Sequence, residues 1–157
     1  MLFFSYCYLI NRFHSNSMSD NKPPEIFLVS SCLVGLCSRY DGRIKPSDTC
    51  IGKLKNAAWI PVCPEQLGGL PTPREAADIF GGDGKQVLNG KACLLTKTGI
   101  DLTAHFIKGA EQVLKIAQSQ KVTAVFLKSK SPSCAVSGTM GVTAALLLAH
   151  GFELQEF

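Results

Sequence analysis

Three short stretches hold the residues best suited to chemistry: "SSC" ending at Cys32, "VCPE" from Val62 to Glu65, and "SPSC" from Ser131 to Cys134. Thiolates there could bind zinc or an iron-sulfur cluster, because both take soft sulfur ligands. They could equally be small buried hydrophobes, as free cysteines often are. A structural zinc site favours four ligands, often in close C-x-x-C pairs. The chain has no C-x-x-C, and His14, His105 and His150 fall in the leader or in expected helices. Widely separated single cysteines suit a cluster gripped by several elements, and Cys63-Pro64 has the cysteine-proline pairing of cluster ligands. Three cysteines would leave one iron of a four-iron cluster open to substrate, as catalytic zinc keeps an open position.

A parallel sheet would bring the three together. "EIFLVS" (25–30), "WIPV" (59–62) and "VTAVFL" (122–127) are continuous apolar runs rich in β-branched and aromatic residues, the pattern of strands buried on both faces. Cys32, Cys63 and Cys134 each follow shortly after one of them. Asp101 to Ser119 reads as a helix with Asp101 as N-cap and an apolar stripe at Leu102, Phe106, Ala110, Val113 and Ala117. "GVTAALLLAHG" reads as a last helix ending at Gly151, and Asp48–Ala58 as a shorter one capped by Asp48. The Gly- and Pro-rich segment 68–90 is expected to be mostly loop, with a turn of helix at Glu75–Ile79. "KACLLT" is expected as an edge strand and Phe152–Leu154 as a short final one. The alternation predicts one α/β domain of three layers, a mostly parallel sheet covered by helices. Ligands bind such sheets beyond the strands' carboxyl ends, where all three thiols would lie.

Composition is compatible with this plan. With 157 residues and 46% hydrophobic content the chain can bury one real core but not two. The net charge of +4 comes from scattered Lys and Arg, which is weak evidence for nucleic acid, suits a small anionic ligand equally well, and fits a plain soluble surface better than either. The apolar run Leu2–Ile10 is shorter than the roughly 20 residues of a membrane span and lacks the flanks of a signal peptide. Residues 1–22 are therefore expected to be an N-terminal extension and 23–157 the domain. Seven cysteines without an export signal argue against a disulfide framework and for a cytoplasmic protein.

From residue 25 onward, "LVSSCLVGLCSRYDG", "PVCPEQLGGLPTPREAADI", "DLTAHFIKGAEQVL" and "LKSKSPSC" followed by "GVTAALL" resemble, in order, the DUF523 family, which includes the thiouracil desulfurases. The resemblance implies a [4Fe-4S] cluster on Cys32, Cys63 and Cys134. It also implies removal of sulfur from a thiolated uracil, as base, nucleoside or nucleotide, with a glutamate and a serine beside the cluster. Glu65 is the matching glutamate, able to activate water or pass a proton. Ser131 is the candidate serine, with Ser133 the less favoured alternative and a candidate substrate contact. Neither a polymeric nucleic acid nor a membrane is implied as partner, and a monomer or weak homodimer is expected.

Several marked residues keep two readings. Arg39, in "RYDG", could bind an anionic substituent or form a salt-bridged turn, and Arg74 and Lys128 could touch phosphate or be structural. Cys37 rivals Cys32 as a ligand. After Cys134 the chain has only "AVSGTM" where the family carries a longer, glycine-rich insertion, and Ala135 where glycine is usual. The short segment could open the pocket, alter substrate choice or mark a degenerate member. The alternative to an enzyme is accordingly a non-catalytic metal or iron-sulfur-binding module.

Overall fold

A computed structural model describes residues 25–157; the expected extension 1–22 lies outside the described residues. In chain order the elements are β1 (Ile26–Ser30), α1 (Asp48–Lys53), β2 (Ala58–Val62), α2 (Pro64–Leu67), β3 (Ala77–Phe80), α3 (Gly84–Leu88), β4 (Cys93–Thr96), α4 (Thr103–Ser119), β5 (Ala124–Leu127), α5 (Val142–Ala149) and β6 (Leu154–Glu156). A single 3₁₀ turn, Ser31–Val34, follows β1.

The main sheet has the order β2-β1-β5-β6, every pair parallel. Alternate residues of β1 and β5 enter opposite cores. Leu28, Val125 and Leu127 pack with Val113 and Ala117 of α4 and with Ala144 and Leu147 of α5. Phe27, Val29, Ala124 and Phe126 pack on the other face with Cys50 and Leu54 from α1 and its C-cap. Burial on both faces explains why these strands read as unbroken apolar runs. The expected three-layer α/β architecture is what the chain forms.

Several expectations along the chain need correction. Glu75–Ile79 does not turn into helix: Ala77–Phe80 is a strand, paired antiparallel with β4 in a separate two-stranded sheet. Alternation decides this, since Ala77 is buried against Leu94 and Val87 while Asp78 is exposed. "KACLLT" is an edge strand as expected, in this second sheet, where it is the partner of β3. Within the expected loop, Asp83 opens α3 with a capping box, its Oδ1 accepting the Lys85 and Gln86 N–H groups. The helix caps also differ: Ser47 caps α1, and Leu102 is the N-cap of α4, with Asp101 one residue farther out yet still accepting the Thr103 N–H at 2.8 Å.

One close approach sets the position of α2. Gly109 on α4 lies against the Pro64 carbonyl, where a Cβ would come within 1.9 Å of the oxygen. Only glycine admits that contact. It holds the turn that carries Cys63 and Glu65 against the longest helix of the fold.

Candidate cluster site at the carboxyl edge of the sheet

Parallel pairing sends β1, β2 and β5 to the same edge, and a cavity of ≈ 390 Å³ opens there with Cys32, Cys63 and Cys134 in its wall. Each thiol leaves its strand differently. Cys32 lies in the 3₁₀ turn that ends at Gly35, and Ser31 beside it donates its hydroxyl to Ser38 Oγ at 2.7 Å. Cys63 is the N-cap of α2, followed by Pro64 at the first helical position, where a missing N–H costs nothing. Cys134 ends a tight turn in which Ser131 Oγ accepts the N–H groups of Ser133 and Cys134, both at 3.2 Å. On its far side, Gly141 packs so closely that a Cβ would lie 2.6 Å from the Cys134 nitrogen.

The electrostatics of the three thiols are alike. Burial pushes Cys134 up to about 12, and the neighbouring Cys32, Glu65 and Cys63 charges add to the shift against a hydrogen bond from Ser30 Oγ. Burial likewise raises Cys32, with Cys63 contributing and Lys128 opposing. Cys63 is raised by burial despite N–H groups of α2 directed at it. Without a cation the three are neutral thiols, so a metal group taking them as thiolates must displace protons.

Among the described residues, no three His, Cys, Asp or Glu side chains gather closely enough to hold a single metal ion. All three thiols line the one cavity. His105 and His150 are occupied elsewhere, on the carbonyls of Gly68 and Leu146. Three soft donors in one cavity wall fit a group that takes thiolate ligands, as an iron-sulfur cluster does.

Glu65 borders the same cavity from α2. Its Oε2 lies 2.6 Å from Arg74 Nε, and its Oε1 accepts the Ser133 hydroxyl at 3.3 Å. Ser133 is 1% exposed and stands behind the wall, not in it; Ser131 lies in the wall. Arg39 also faces the cavity while its guanidinium grips Asp41 at 3.1 and 3.2 Å, which holds that carboxyl at about 2. Lys128 and Lys130 line the same rim, Lys130 in a left-handed conformation with φ 54°. Cys37, the rival ligand, is exposed, points its thiol at the Gly42 carbonyl and is not part of the wall.

Sequence reasoning missed Asp78 in the cavity wall and the Arg74–Glu65 pair. Alternation of Ala77 and Asp78 could have revealed the first once the segment was read as strand. Nothing in the spacing of Glu65 and Arg74 signals the second.

Residues 27–156 match the 2-thiouracil desulfurase family. The uncharacterized protein YbbK of Bacillus subtilis (strain 168) is 40% identical over 141 residues, which cover 82% of this chain and 93% of YbbK. The solved structure of a [4Fe-4S]-dependent thiouracil desulfidase, TudS, superposes with a TM-score of 0.67 at 34% identity, covering 84% of this chain and 90% of that one. Similarity over that span places the chain in the 2-thiouracil desulfurase family.

Proposed function

We propose that this protein is a desulfidase that exchanges the sulfur of a thiolated uracil for oxygen, with Cys32, Cys63 and Cys134 holding a [4Fe-4S] cluster. The observation that carries this reading is the presence of three thiols and one oriented carboxylate in a single cavity at the carboxyl edge of the sheet. When bound, such a cluster supplies an iron without a protein ligand and with affinity for sulfur.

The chain's own residues do the remaining work. Glu65 takes a proton from water as the oxygen adds to the thiocarbonyl carbon, and returns it to the departing sulfur. Thiouracil plus water gives uracil plus hydrogen sulfide, a balance in which no electron is gained or lost. The Ser131 oxygen already accepts two backbone N–H groups, so its own O–H is directed by them and is available to the edge of the base. Lys128 and Lys130 at the cavity offer positive charge to an anionic substituent, Arg39 being held by Asp41, and this favours a nucleoside monophosphate as substrate. We place the activity in the cytoplasm, where thiols stay reduced; no helix among the described residues is long and apolar enough to cross a membrane.

The test is anaerobic reconstitution with ferrous iron and sulfide, then incubation with 2-thiouracil and with 4-thiouridine monophosphate. Released sulfide and the oxygenated pyrimidine should appear in equal amounts, with the nucleotide turned over at lower KM. A folded chain that takes up no iron, or that takes it up and leaves both substrates intact, overturns the proposal.

A further inference from the structure

Arg74 has no role in the reading above, yet its side chain is only 6% exposed and is the most heavily bonded in the site. Nε donates to Glu65 Oε2 at 2.6 Å. Nη1 donates to the Pro71 carbonyl at 3.0 Å and Thr72 Oγ1 at 3.1 Å. Nη2 donates to the Ser38 carbonyl at 3.0 Å. Four of the five guanidinium N–H groups are thus used within the protein, which leaves little capacity for a substrate phosphate. The Ser38 carbonyl that takes Nη2 also accepts the Cys63 thiol at 3.6 Å, and the Arg74 backbone N–H donates to the Tyr40 carbonyl at 2.8 Å. A rigid planar fork locked to the Pro71 and Ser38 carbonyls cannot swing freely, which restrains the carboxylate it grips.

We infer that Arg74 is the positioning residue for Glu65: with Ser133 on the other carboxylate oxygen, it fixes the plane in which Glu65 meets water and substrate, and it does not bind the substrate itself. Each carboxylate oxygen keeps acceptor capacity after these bonds, so the clamp orients Glu65 without consuming it. The inference rests on the proposed role of Glu65 and adds the device that makes that role possible. A carboxylate free to rotate would lose the near-attack geometry on which proton transfer depends.

A double-mutant cycle on the reconstituted holoenzyme tests it. Glu65→Ala should lower kcat by about 100-fold or more, and an unchanged kcat would overturn the proposed role of Glu65 and the inference with it. Given that loss, Arg74→Ala should lower kcat by roughly 10- to 100-fold with KM within about threefold and iron per chain unchanged. The Glu65→Ala/Arg74→Ala double variant should be no slower than Glu65→Ala alone. Ser133→Ala, a lighter perturbation that keeps the guanidinium contacts, should lower kcat several-fold and likewise have no effect on the Glu65→Ala background. Guanidinium added to Arg74→Ala should restore part of kcat. Losses that multiply in the double variants, or a rise in KM with kcat intact, would overturn the inference, the first assigning Arg74 a structural task and the second a substrate contact.

Discussion

Replacing Gly109 with alanine sets local propensity directly against the placement of the site. Gly109 is in the middle of α4, where alanine should stabilise an exposed helix by about 1 kcal/mol. Here the added Cβ would meet the Pro64 carbonyl oxygen at 1.9 Å and its carbon at 2.7 Å. Restoring ordinary van der Waals contact requires α2 and α4 to part by roughly 1.5 Å. Pro64 cannot yield alone, because its carbonyl also accepts the Gly68 N–H at 2.8 Å. Overpacking of this kind costs ~1–3 kcal/mol, so the variant should be less stable by about 1 kcal/mol after the propensity gain. The functional loss should be larger. The moving turn carries Cys63 at its cap and Glu65 one residue beyond Pro64, and ~1 Å of misplacement can cost 10²-fold in rate. Urea denaturation, iron per chain after reconstitution, and kcat measure the three consequences separately. A variant that is more stable than the parent and takes up iron and turns over substrate normally would refute the claim that this contact places the site.

Two further outcomes follow from the same geometry. Cys134→Ser should abolish iron uptake, whereas Cys50→Ser should keep full iron content and lose ~1–2 kcal/mol of stability, because Cys50 is wholly buried in the core on the opposite face from α4 and α5; iron and sulfide analysis beside urea melts separates them, and equal iron loss in both would count against the ligand assignment. Burial tends to raise the Glu156 carboxyl, but hydrogen bonds from Ser137 Oγ and the N–H groups of Val136 and Ser137 outweigh it and hold the carboxyl below its ordinary value of 4.5. A depressed folded pKa contributes stability above the unfolded value that disappears as pH falls through the folded one. Glu156→Gln should therefore be less stable than the parent by about 1 kcal/mol at neutral pH, with the gap closing as acid takes the parent below the ordinary carboxylate range. A gap that does not change with pH would show that the charge is not what matters.

Much of the main sheet and the convergence of Cys32, Cys63 and Cys134 are legible in sequence because both depend on local signals. Strands buried on two faces are continuous apolar runs, and parallel pairing then dictates which ends meet. What was not legible depends on partners distant along the chain. Ala77–Phe80 becomes a strand because Cys93–Thr96 lies beside it, across a glycine-rich stretch that also hides the capping box of α3. The division of labour between two serines two positions apart is of the same kind. Ser131 turns its oxygen to the backbone of the loop and Ser133 turns its hydroxyl to Glu65, and only the path of the loop decides which does which.

The short segment after Cys134 is fixed by hydrogen bonds at both of its ends. "AVSGTM" closes on itself, with the Gly141 N–H on the Ala135 carbonyl at 2.8 Å and the Ala135 N–H on the Ser131 carbonyl at 2.9 Å. Val142 and Thr143 at the start of α5 return their N–H groups to the carbonyls of Pro132 and Ser133, at 2.9 and 2.8 Å. Glu156 on the edge strand β6 takes the N–H groups of Val136 and Ser137 that the turn leaves over. The Cys134 loop is thereby held from three sides: by Ser131 within it, by α5 behind it and by β6 beside it. The orientation of a cysteine depends on how its peptide is fixed and not on how many residues follow it, so the bonded turn holds Cys134 without added loop length. The short segment thus leaves the Cys134 loop constrained on each of those sides.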